Sequence, residues 1–151
     1  MARIQVLIQQ NDFDLAAEYA ALRRDNPQAG AIVTFTGLVR DFNADGQVDS
    51  IFLEHYPAMT EKALHRIADQ AHERWDLCAV TVIHRVGVVR RQEQIVLVGV
   101  ASLHRHDAFA AAEFIMDYLK TEAPFWKREQ GAGGSDWVEA KESDQRARER
   151  W

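Results

Sequence analysis

The sequence holds a single cysteine, Cys78, and so no internal disulfide and no multi-cysteine zinc site can form. The plain role of such a thiol is a small core residue. No apolar run approaches the roughly 20 residues of a membrane span. The opening "MARIQVLIQQNDFD" lacks the apolar stretch of a signal peptide. A cytoplasmic chain that crosses no membrane is therefore expected. Basic residues are in deficit: 18 Lys and Arg face 23 Asp and Glu, for a net charge of -5. That excludes a general nucleic-acid binder but leaves room for a local basic pocket. The Gly-rich "GAGGS" (131–135) is followed by no GK[ST], so it is not a phosphate loop. Ser102, Ser135 and Ser143 stand outside any nucleophile-elbow context. His104 and His106 lack a third ligand, so no metal site is expected.

What is present suits one ordinary domain of 151 residues, with 47% apolar and 27% charged residues. Residues 3–8 alternate like a strand. "DFDLAAEYAALRRD" reads as a helix capped by Asp12 or Asp14, with Leu15, Tyr19 and Leu22 on one side. Residues 31–40 and 50–56 read as strands around a polar, mobile turn at Asp45-Gly46. Pro57 ends the second strand. A helix over 60–75 follows, with Leu64, Ile67, Ala68, Ala71 and Trp75 as its apolar stripe. Residues 79–89 make one strand bent at Gly87, or two short ones. Residues 95–103 are apolar throughout, as in a strand covered on both faces. Asp107 should cap a helix carrying Phe109, Ala112, Met116 and Leu119, limited by Pro124. A flexible loop, a short strand in "DWVEAKE" and a charged tail complete the chain. This order predicts an α+β fold with a largely antiparallel sheet.

Basic groups gather at element ends: Arg40, then His104 and Arg105, then Lys120, Lys127 and Arg128. Strand ends and the loops beyond them commonly carry sites. Each residue also has a plainer reading. Arg40 could be a solvated strand end and "HRH" (104–106) a polar turn. Lys120 could complement a helix dipole. Lys127-Arg128-Glu129 could be a solvated run. "YLKTEAPFWKRE" (118–129) is harder to set aside. Its two lysines flank a proline and two aromatics expected to anchor the turn against the core. A lysine held beside apolar rings would be partly desolvated, which lowers its pKa and suits proton transfer, nucleophilic attack or charge pinning.

The segments "VTFTGLVRD" (33–41), "LEHYPAMTEKAL" (53–64), "VTVIHRVGVV" (80–89), "VGVASLHRHDAF" (98–109), "FIMDYLKTEAPFWKRE" (114–129) and "WVEAKESD" (137–144) resemble the large, catalytic subunits of molybdopterin synthase, the MoaE family. The resemblance runs nearly end to end and takes 1–151 as one domain. It implies an α/β-hammerhead-like fold with an added small β subdomain. It implies sulfur transfer from the thiocarboxylate tail of a small ubiquitin-like partner ending in Gly-Gly. The acceptor would be cyclic pyranopterin monophosphate (precursor Z), which gains the dithiolene of molybdopterin; no cofactor is implied. A homodimer within a heterotetramer is the implied assembly. The catalytic lysines fall on Lys120 and Lys127. Binding positions fall on the backbone of Leu38 and Val39, on Arg40, His104, Arg105 and Arg128, and on Lys141, which would reach a neighbouring subunit. Members of the family often have Lys at position 38 and Arg at 141. Lys at 141 cannot make the bidentate phosphate contact of Arg.

Overall fold

Strand β7 (Gln94–Ser102) is the most apolar segment and sits inside a sheet with both faces covered. A computed structural model describes residues 2–40, 42–43, 46–131, 134–138 and 142–151 of the chain. The first sheet has the order β1–β5–β7–β2. Here β1 is Arg3–Gln9, β2 is Ala31–Leu38 and β5 is Leu77–Arg85. Only β1 and β5 run parallel; β5–β7 and β7–β2 are antiparallel. Alternation splits the strands between two faces. Val80, Val82, Val96, Val98 and Val100 face one core; Ala79 and Ala101 face another.

The valine face is covered by α2 (Pro57–Arg74) and α3 (Arg105–Glu122). The opposite face receives α1 (Leu15–Arg23) through Leu22, the one fully buried residue of that helix. Leu15 and Tyr19, expected to point inward with it, are exposed. Gly99 makes room for Leu22. A methyl group on Gly99 would stand 2.6 Å from a Leu22 methyl carbon.

The second sheet has the order β3–β4–β8–β9, with β3 at Phe42–Asn43, β4 at Gly46–His55, β8 at Phe125–Gly131 and β9 at Gly134–Val138. Strand β6 (Gly87–Arg90) also pairs with β4. The chain passes from the first sheet to the second at Gly87, whose φ of 81° lies in the left-handed region that glycine tolerates. So the bend foreseen at Gly87 is a change of sheet. The fold is α+β and mostly antiparallel, as the pattern of elements predicts. Among the described residues no helix is long and apolar enough to cross a membrane.

Several boundaries differ from expectation. Helix α2 begins at Pro57, the proline that was to end the strand only; its fixed φ and missing N–H suit the first helical position. The N-cap of α3 is His104, with no side-chain cap bond, so Asp107 lies in the first turn. The buried stripe of α3 is Ala108, Ala111, Ala112, Phe114, Ile115 and Leu119, leaving Phe109 exposed. The polar turn expected over 41–49 has strand at 42–43 and from Gly46 onward, and Val48 is buried. The charged tail folds as α4 (Glu142–Arg148). Beyond α4, the Trp151 ring meets Trp75 and Phe114 edge-on at centroid distances of 5.6 and 5.7 Å. Its indole N–H donates to Asp117, and its backbone carbonyl accepts from Arg74.

Candidate functional site

Helix α3 follows β7 after two residues and packs back along it. Its last turn therefore returns to the end of the sheet where β7 begins. Leu38, at the end of β2, is paired with Gln94 at that same end. Lys120 in the last turn of α3 and Arg40 just past β2 are thus brought to one end of the first sheet. Both residues are exposed.

The chain then turns sharply into β8, which carries Lys127 opposite Leu53 of β4. Phe125 N–H donates to the Ala123 carbonyl at 2.9 Å, closing a three-residue turn on Pro124. Phe125 is half-buried and packs against two cores. Its ring stacks on His84 at 3.8 Å and 18°, with His55 further off at 6.4 Å. Trp126 does not anchor the turn. It lies on the other face of β8, is exposed, and meets Tyr56 edge-on at 4.6 Å. Lys127, two residues from Phe125, shares the inward face and is half-buried.

His84 is 6% exposed on β5. Its Nδ1 lies 2.8 Å from the Arg85 carbonyl, which only accepts, so Nδ1 carries the proton. Burial lowers its pKa to about 4, against the opposing effect of that hydrogen bond. The charges of Lys120 and His55 push it the same way as burial. His84 is therefore neutral near pH 7, and Lys120 is close enough to act on it. Burial, and then Asp76, raise the pKa of the Cys78 thiol, which leaves it a core residue.

Other predicted positions separate from this group. Fifteen residues of helix put Arg105 about 22 Å from Lys120. His104 and Arg105 line a cleft of about 640 Å³ with His106, Phe109, Glu113 and Trp151, at the far end of α3. Arg128 faces away from Lys127 and lies over the Phe52 ring at 5.6 Å. Val39 is buried; its N–H donates to Glu93 and its carbonyl accepts from Gln92, so it offers no free N–H to an anion. Leu38 is exposed beside it. Lys141 lies outside the described residues.

Three residues near these sites escaped the sequence reading. Thr60 is fully buried, and its hydroxyl donates to the Pro124 carbonyl at 3.0 Å while accepting from Tyr56 N–H at 3.2 Å. A threonine shortly after a helix start was the available signal, one position later than in a capping box. His84 was legible as an imidazole beside Arg85 at the end of an otherwise largely apolar strand. Trp151 gave no periodic signal.

The sequence profile described as "MoaE protein" matches residues 8–122. The chain is 60% identical over 146 residues to the molybdopterin synthase catalytic subunit of Ralstonia nicotianae, covering 97% of this chain and 83% of that protein. It is 54% identical over 151 residues to the catalytic subunit from Haemophilus influenzae, over the full length of both. The solved molybdopterin biosynthesis MoaE protein from Burkholderia ambifaria superposes with a TM-score of 0.83 at 52% identity, covering 100% of this chain and 98% of that one. The lysine pair around the Pro124 turn thus stands on a scaffold shared with these proteins, and the chain belongs to the MoaE family.

Proposed function

We infer that this chain is the catalytic subunit of a molybdopterin synthase, a sulfur-transferring enzyme of molybdenum cofactor biosynthesis. Its partner would be a small ubiquitin-like protein whose Gly-Gly tail ends in a thiocarboxylate, and its substrate precursor Z. The observation that carries the reading is the pair Lys120 and Lys127, held on two elements joined by one pinned turn. Donor and substrate are both anions, and cations fixed in advance stabilise charge that develops as they react. Lys120 would polarise or protonate the thiocarboxylate as sulfur leaves. Lys127 would hold the pterin side and carry protons during ring opening and loss of water.

Arg40 supports anion binding beside the lysines. His104 and Arg105 sit too far along α3 to serve the same pocket from the same chain. In a homodimer, a second copy would supply them, with Lys141 as a further cross-subunit cation. The test is conversion of precursor Z to molybdopterin by the purified chain with a thiocarboxylated small subunit. Conversion is expected, and its absence with an active partner preparation would overturn the assignment.

A further inference from the structure

The turn between the lysines is gripped from two sides by buried residues that belong to neither lysine's element. From α2, the Thr60 hydroxyl donates to the Pro124 carbonyl at 3.0 Å. That hydroxyl is itself aimed by Tyr56 N–H at 3.2 Å, in the turn where β4 gives way to α2. From β5, the His84 ring lies nearly parallel to Phe125 at 3.8 Å, and its own Nδ1–H is tied to the Arg85 carbonyl at 2.8 Å. Arg85 in turn is buried and donates to the carbonyls of Gln10 and Gln94. Thr60 and His84 are 0% and 6% exposed.

We propose that Thr60 and His84 are positioning residues that clamp the Ala123–Phe125 turn and so fix the separation of Lys120 from Lys127. The proposal rests on the catalytic reading of that pair. Lysine stems are long and flexible, so the reach of each ammonium is set by where its backbone is held. A displacement of about 1 Å at a reacting group costs up to a hundredfold in rate. Loosening the turn should therefore lower kcat and leave the docking of both substrates little changed. A residue that only contributed stability would lower the melting temperature without changing kcat per folded molecule.

The test is Thr60→Val, which keeps the shape and removes the donor, beside Thr60→Ser, which keeps the hydroxyl. Both are assayed well below their melting temperatures with Lys120→Ala as a control. Thr60→Val should lose about tenfold in kcat with both KM values within about twofold, and Thr60→Ser should recover most of it. A wild-type kcat in folded Thr60→Val, or equal losses in the Val and Ser variants, overturns the clamp. Should Thr60→Val fail to fold, His84→Ala and His84→Phe carry the same contrast. The alanine should lower kcat and the phenylalanine, which can still stack on Phe125, should restore it; equal kcat in the two overturns the proposal. Near-wild-type turnover by Lys120→Ala would remove the catalytic reading itself. Inactive Lys120→Ala beside fully active Thr60→Val would remove the clamp alone.

Discussion

The two ends of α3 hold cations in opposite electrostatic settings. Lys120 stands in the last turn, where the helix dipole favours a positive charge. Arg105 stands in the first turn, where the dipole disfavours one, after an N-cap that makes no side-chain bond. Simple helix energetics would place Lys120 where it is. They would not place Arg105 there. The first cation needs the pinned turn and its neighbour Lys127 to argue for chemistry. The second argues for an anion by its position against the dipole and its place in a cleft. Position along the helix thus separates a residue whose location stability explains from one whose location stability opposes.

The sharpest way to break this comparison is at Lys120. Lys120→Ala should lower turnover by about 10²–10⁴-fold, the usual worth of a proton-transferring group, while circular dichroism stays unchanged. Near-wild-type turnover would leave only the dipole role. Arg105→Ala and Arg40→Ala should each raise the apparent KM for precursor Z about ten- to a hundredfold, from the loss of roughly 1.5–3 kcal/mol per charge-assisted contact. Arg105→Ala should at the same time keep or slightly raise the melting temperature, the signature of a cation held against the dipole. A mixed dimer of one Arg105→Ala chain and one Lys120→Ala chain should recover about half of wild-type activity, because one of its two sites would be intact. No recovery would mean that both residues serve one site from the same chain.

A smaller effect concerns acid. Above about pH 6.5 His84 is neutral whether folded or not. Below that, the unfolded chain takes up a proton that the folded chain refuses until about pH 4, so stability falls across this window. The loss should reach about 2 kcal/mol by pH 5. Urea unfolding at pH 7 and pH 5 should show that extra loss in the wild type and not in His84→Phe. The smallest effect is expected for Arg148→Ala, which removes a partly exposed ion pair with Glu122 at 3.1 Å. About 0.5 kcal/mol or less should be lost in thermal unfolding.

The first sheet was legible because its residues obey one period. Val80, Val82, Val96, Val98 and Val100 alternate with residues that face α1, and both faces are apolar. Strand β8 was not legible, since Lys127, Arg128 and Glu129 are paired by backbone to β4 on one side and β9 on the other, which composition does not report. Helix α4 is charged, and what holds the segment is the ring of Trp151 and ion pairs to α3. At the site, the residue types and their resemblance pointed to the lysines. The distance of Lys120 from Arg105 follows from the length of α3, but its approach to Arg40 required knowing that α3 runs back along β7, a fact of topology. The clamp on the Pro124 turn joins residues 64 positions apart, and no local pattern encodes it.

The close seat of Leu22 over Gly99 bears on how such chains can vary. The two positions lie on different elements and share one volume, so neither changes freely alone. Alanine at 99 should be tolerated across relatives where position 22 is smaller than leucine, and leucine at 22 should travel with glycine at 99. A pair of sites distant in sequence would then carry a single inherited choice.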